Sequence, residues 1–187
     1  MATVPPSKPP CLTIDSSVLI AICAKEVGRH TLAHAELTAY ATQGYEFYAP
    51  GYILGECLYV LCRKLESDGT LTPTEHAAAV ADLSTYMSVI LPPPNGEASL
   101  VIRAEQIRSG YGCSRSADGI FLALAEDLAT TRTCKLLTFD TGFTNQANTN
   151  APTVDVHELV TSPTGTPPPA TPPTPPPPAA TPPPYVD

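Results

Sequence analysis

Two short apolar runs constrain this chain more than anything else in it. They are CLTI at residues 11–14 and CKLLTF at residues 134–139, and each ends directly in an aspartate, Asp15 or Asp140. Continuous apolarity without alternation reads as a strand covered on both faces, as in a parallel sheet. In open α/β sheets, ligands and chemistry sit at the carboxyl ends of the strands. An unpaired carboxylate there is costly and persists by pairing or by binding a metal ion. The chain is therefore expected to bring other groups to the same edge.

The intervals between the strands carry helical signals. Residues 18–24 form an apolar helix capped by Asp15 or Ser16. A second helix spans 31–42 and ends at Gly44. Residues 45–49 (YEFYA) read as a strand closed by Pro50. Over 52–66, Leu54, Leu58, Leu61 and Leu65 fall at helical spacing and predict one strongly buried face. Thr72-Pro73-Thr74-Glu75 starts a helix that reaches Tyr86. A strand is expected at 89–91, stopped by three prolines, then a helix over 97–109 broken by Gly110-Tyr111-Gly112. Residues 116–129 are apolar nearly all round, so that helix is buried. A fifth, edge strand is expected at 153–156. This alternation is that of a doubly wound α/β domain with a central parallel sheet flanked by helices.

The chain divides into a Pro-rich flexible N-terminus (1–10), a domain (11–160) and a Pro/Thr-rich tail (161–187). The tail contains no Lys or Arg and almost nothing apolar to bury, so it reads as disordered or polyproline II. It is a solvated extension or a ligand for a Pro-recognising domain. A net charge of −8 argues against a sequence-independent nucleic-acid binder, though not against an enzyme whose acidic site acts on nucleic acid. None of the six cysteines forms a CxxC pair and no His cluster accompanies them, so the zinc signature is missing. They read as reduced core thiols of a cytoplasmic protein. Residues 1–10 lack the apolar core of a secretory signal, and the longest apolar run, 18–24, is far short of the about 20 residues of a membrane span.

Two further acids stand in unusual settings. Asp118 lies in the first turn of the buried 116–129 helix, beside Gly119, where the bland role is a dipole-stabilised helix start. Glu56 sits between Gly55 and Cys57 near the start of the 52–66 helix, where the bland role is a salt bridge or a surface position. Taken together with TIDSSVLIA, GYILGECLYVL, SADGIFLALAEDL and LLTFDTGF, the four acids Asp15, Glu56, Asp118 and Asp140 resemble the PIN-domain ribonucleases. The nearest branch is that of the VapC-like toxins of bacterial type II toxin–antitoxin pairs. The resemblance covers residues 12–159, with the acids in that family's order and spacing. Gly119 and Phe121 depart from its usual small or aliphatic residues, and the Pro-rich tail is no part of the fold.

The resemblance implies an endoribonuclease that uses Mg²⁺ or Mn²⁺ and leaves a 5′ phosphate and a 3′ hydroxyl. Both are hard cations that suit an all-oxygen site. Asp15, Asp118 and Asp140 would be direct ligands, with Glu56 binding through water or orienting the nucleophile. Ser16 and Thr138 flank the strand-end acids and can support them, or serve ordinary turn chemistry. Arg115 and Arg63 are the candidate RNA contacts, with Arg103 and Arg108 on the preceding helix; the four dispersed histidines receive no catalytic role. An antitoxin protein is the implied partner, and the Leu54/Leu58 helix suits a homodimer. A HAD-type phosphatase is excluded because Ser17 stands where its second Asp belongs, and a dinucleotide-binding fold because no Gly-rich turn follows the first strand. A duplex-gripping DNA nuclease would need added helical regions. The remaining alternative is a non-catalytic PIN-fold module that binds RNA or protein.

Overall fold

β1 (Cys11–Ile14) is buried along its whole length, so the sheet is covered on both faces. The computed structural model describes residues 8–110, 112 and 118–161. Four parallel strands, β1, β2 (Glu46–Tyr48), β3 (Cys134–Thr138) and β4 (Asp155–Glu158), lie in the order β2-β1-β3-β4. β1 therefore has β2 on one side and β3 on the other. The connections diverge there, which makes the β1/β3 boundary the switch point of the sheet. The expected pairing of the two strands that end in aspartate is what the register shows, with Ile14 opposite Leu137.

Among the described residues, seven helices flank the sheet: α1 (Ser16–Cys23), α2 (His30–Thr42), α3 (Tyr52–Glu66), α4 (Pro73–Met87), α5 (Val101–Gly110), α6 (Asp118–Ala129) and α7 (Gly142–Asn150). They pack as two groups, α1 with α2, α3 and α4, and α6 with α5 and α7. α1 is almost wholly buried, as its apolar sequence requires. α4 begins with a reciprocal capping box between Thr72 and Glu75, with Pro73 in its first turn. α6 lies close on α5 because Gly119 has no Cβ; one there would stand 2.6 Å from the Ala104 carbonyl oxygen. Phe121, the other departure from the family pattern, meets Phe143 of α7 edge-on at 6.3 Å between ring centroids.

Several expectations need correction. Residues 89–91 form no strand; Leu91 makes one isolated parallel bridge to Tyr48. The segment is too short before the three prolines, and Val89 and Leu91 face solvent. On α3 the buried line is Ile53, Cys57 and Leu61, while Leu54 and Leu58 are about 40% exposed (41% and 39%). Of the four leucines expected on this face, Leu61 is buried and Leu65 half-buried, while Ile53 and Cys57 take the core positions expected of Leu54 and Leu58. The expected 97–109 helix is a 3-10 turn (Glu97–Ser99) followed by α5. The edge strand begins at Asp155, and α7 was not expected at all. Cys11, Cys23, Cys57 and Cys134 are free and buried, Cys62 is free and exposed, and Cys113 lies outside the described residues. No helix among the described residues is long and apolar enough to cross a membrane. The tail from residue 162 also lies outside them.

Candidate active site

Asp15 leaves β1 and caps α1, its backbone N–H continuing the ladder to the Leu137 carbonyl at 3.1 Å. Its side chain is buried and its Oδ2 is crowded with donors: Ser17 Oγ at 2.5 Å, Thr138 Oγ1 at 2.9 Å and the Ser17 backbone N–H at 3.3 Å. Those hydroxyls also stitch the two strand ends together. Ser17 Oγ accepts the Phe139 N–H at 3.0 Å, and Thr138 Oγ1 accepts the Asp140 N–H at 2.9 Å. Burial pushes the Asp15 carboxyl above its usual range, the Ser17 and Thr138 hydrogen bonds pull it down, and the Asp118 charge pushes it up again.

Glu56 projects from the first turns of α3, and its Oε2 is buried with no hydrogen-bond partner in the protein. Its carboxyl is also raised, first by burial, then by the charge of Asp15, with Asp118 adding to it; a hydrogen bond with Ser16 opposes the shift. Asp118 opens α6, where its Oδ2 accepts a hydrogen bond from Gln146 Nε2 of α7 at 2.9 Å. Asp140 follows β3, and its Oδ1 accepts the Gly142 N–H at 2.7 Å at the start of α7. Asp15, Glu56 and Asp118 thus feel one another's charge, and Thr138 links Asp15 to the backbone of Asp140.

Of the two proposed supports, Thr138 joins both strand-end acids directly. Ser16 Oγ stands 3.5 Å from Asp15 Oδ1, a long contact, and engages Glu56. The stronger support is Ser17, which the sequence reading passed over although a hydroxyl two residues after a capping Asp is a recognisable turn signal. Gln146 was missed with the whole of α7. Among the arginines, Arg63 pairs with Asp68 at 3.5 Å, Arg108 with Glu105 at 2.8 Å, and Arg103 holds Glu126 and the Asn150 carbonyl. Arg115 lies outside the described residues. A further cation lies by the strand end: the Arg29 guanidinium is 5.0 Å from the ring centroid of Phe139, which stands between Thr138 and Asp140. Its pair with Glu26 is 3.4 Å long, and the side chain is 45% exposed, so it can turn to another anion.

The donor set is all oxygen, which suits a hard divalent cation. Among the described residues, no group of three or more acidic, His or Cys side chains stands gathered around a common centre. Mg²⁺ does not require one, since it keeps several waters and is commonly bound through one or two carboxylates. The partnerless Glu56 oxygen and two carboxyls pushed toward neutrality are what a missing counter-charge leaves behind, so the residues fit such an ion.

A parallel sheet of order β2-β1-β3-β4 covered by helices on both faces defines an α/β protein with a switch point between β1 and β3. More particularly, the chain belongs to the PIN-domain family, whose model matches residues 12–148. A solved structure of FitAB bound to an IR36 DNA fragment has the same fold, with a TM-score of 0.51 at 17% sequence identity, covering 79% of this chain and 94% of that one. No curated protein sequence matches this chain.

Proposed function

We propose that this PIN domain is a metal-dependent endoribonuclease that hydrolyses RNA phosphodiester bonds at the crevice of Asp15, Glu56, Asp118 and Asp140. The observation that carries the reading is the shared field of Asp15, Glu56 and Asp118, with burial and mutual repulsion holding Asp15 and Glu56 above the carboxylate range. Such a site gains most from a bound divalent cation. A bound Mg²⁺ or Mn²⁺ supplies the positive charge that polarises a phosphodiester and activates water. Asp15, Asp118 and Asp140 would hold it. Glu56, with an unclaimed oxygen, is the group to accept a proton from or orient the attacking water. Ser17 and Thr138 fix the Asp15 carboxylate, and Arg29, Arg63 and Arg115 are the candidate phosphate contacts.

The family resemblance supports a toxin restrained by an antitoxin, in the cytoplasm. The exposed Tyr52, Leu54, Leu58 and Tyr59 on α3 support a homodimer through that helix. Cleavage of structured RNAs is expected with Mg²⁺ or Mn²⁺ and is expected to stop with EDTA and in Asp15→Asn and Asp118→Asn variants. Activity that survives chelation, or both substitutions, would sink the mechanism. RNA binding without cleavage in any divalent ion would leave a non-catalytic module instead.

A further inference from the structure

Gln146 is fully buried, yet it is a polar side chain in the middle of α7. An ionised carboxylate only accepts, so the amide nitrogen is the end that faces Asp118, at 2.9 Å. That leaves Gln146 Oε1, one amide's width from the Asp118 carboxylate, buried without a donor from the protein. A buried acceptor left unmade costs about 1–3 kcal/mol, so an unpaired amide is a poor choice for packing alone. Met or Leu would fill the same volume at no such cost.

We propose that Gln146 is a positioning residue for the cation. Its amide N–H fixes the orientation of Asp118, and its carbonyl oxygen accepts a hydrogen bond from water that accompanies the ion. The inference rests on the metal-dependent reading above. It makes α7 part of the site: the helix begins under Asp140, which accepts the Gly142 N–H, and one turn later returns to Asp118 through Gln146. Two acids from different elements are thereby held by one short helix. Loss of a partner that orients a metal ligand typically lowers metal affinity or activity about 10–100-fold.

The test uses the full chain, with Mn²⁺ alone as the probe in calorimetry and RNA cleavage as a second readout. Gln146→Met keeps an unbranched side chain of similar size, and Gln146→Glu keeps the carbonyl oxygen while removing the donor. Both are expected to weaken Mn²⁺ binding by about 10–100-fold, and Gln146→Met is expected to leave metal-free thermal stability close to wild type. If Gln146 acts through Asp118, Gln146→Met adds little further loss of Mn²⁺ affinity in an Asp118→Asn background. Unchanged Mn²⁺ affinity in both variants, or a loss of undiminished size in that background, overturns the assignment while leaving the nuclease reading intact. A wild-type protein that neither binds Mn²⁺ nor cleaves RNA overturns both. If one variant does not fold, the other decides on the same Mn²⁺ criterion.

Discussion

Replacing Thr138 by Val isolates the contribution of one hydroxyl. The two side chains share a shape, and Thr138 is fully buried, so packing is kept and only the polar atom is lost. That atom has two partners: it donates to Asp15 Oδ2 and accepts the Asp140 N–H, both at 2.9 Å. A hydrogen bond to a charged group contributes about 1.5–3 kcal/mol, and a partly buried N–H left without an acceptor costs about 1 kcal/mol more. The expected destabilisation is therefore roughly 3 kcal/mol, or a fall in Tm of about 6–12 °C for a domain of this size. The loss should depend on pH. Asp15 relies on its donors only while ionised, and without Thr138 its carboxyl rises further, so protonation relieves part of the cost. The deficit should be smaller in acid and grow as pH rises through the raised titration of Asp15. Thermal denaturation followed by circular dichroism, with EDTA present, measures both quantities. A Tm change under about 2 °C at every pH tested would show that the hydroxyl does not anchor the two strand ends. A deficit of equal size in acid would show that the charged form of Asp15 is not what Thr138 serves.

Three other outcomes follow from the same geometry. Glu56→Gln removes a carboxyl whose folded pKa lies above its ordinary 4.5, so the stability tied to that proton is complete below 4.5 and lost as pH rises through the raised value. The variant should lack that decline and melt higher than wild type near neutrality in EDTA; an equal or lower Tm contradicts the assigned field. Gly119→Ala places a methyl group 2.6 Å from the Ala104 carbonyl oxygen, a backbone atom that cannot step aside, so an overpacking cost of about 1–3 kcal/mol is expected in chemical denaturation. Arg29→Ala should raise KM for RNA and flatten its salt dependence, with little change in kcat; an unchanged KM removes Arg29 from the substrate path.

The site was legible where chemistry is written in adjacent residues. A strand that runs out at an acid is a local pattern, and two of them, at Asp15 and Asp140, were enough to put the two strand ends side by side once parallel pairing was assumed. Helix boundaries carried by caps were equally visible, as at Thr72 and Glu75. What failed depended on tertiary choice. On α3 the leucines marked the helical period and Leu61 is in the core, but at the earlier turns the core took Ile53 and Cys57 in place of Leu54 and Leu58, because burial is decided by where the neighbouring helices lie and not by which apolar side chain is longest. Residues 142–150 (GFTNQANTN) carry the composition of a loop, with two threonines and three asparagines. Their helix is made by context: Phe143 and Ala147 are buried, Gln146 is tied to Asp118, and the Asp140 carboxylate covers the first turn.

That last case bears on how the crevice is held. Thr138, Ser17 and Gln146 each direct a hydrogen-bond donor at a carboxylate, Thr138 and Gln146 from fully buried positions: β3 to the end of β1, the start of α1 to the same acid, and α7 to the start of α6. The Ser17 and Thr138 hydroxyls also accept backbone N–H groups beyond β3, so the Asp15 carboxylate cannot shift without disturbing the backbone that carries Asp140. Glu56 joins this lattice through Ser16. Its Oε2 has no partner, and its carrier α3 approaches through the Ser16 segment, where the Cys57 thiol makes a long contact of 3.9 Å to the Ser16 carbonyl. Three acids are thus supported from behind while the fourth retains an unclaimed oxygen. That division suits fixed ligands on one side and a mobile acid-base group on the other. It also predicts an order of sensitivity: removing the Asp15 supports should first reduce cation affinity, whereas Glu56→Gln should reduce kcat with Mn²⁺ affinity largely kept. Calorimetric Mn²⁺ titration beside single-turnover cleavage separates the two, and equal loss of Mn²⁺ affinity in Glu56→Gln and Thr138→Val would refute the division.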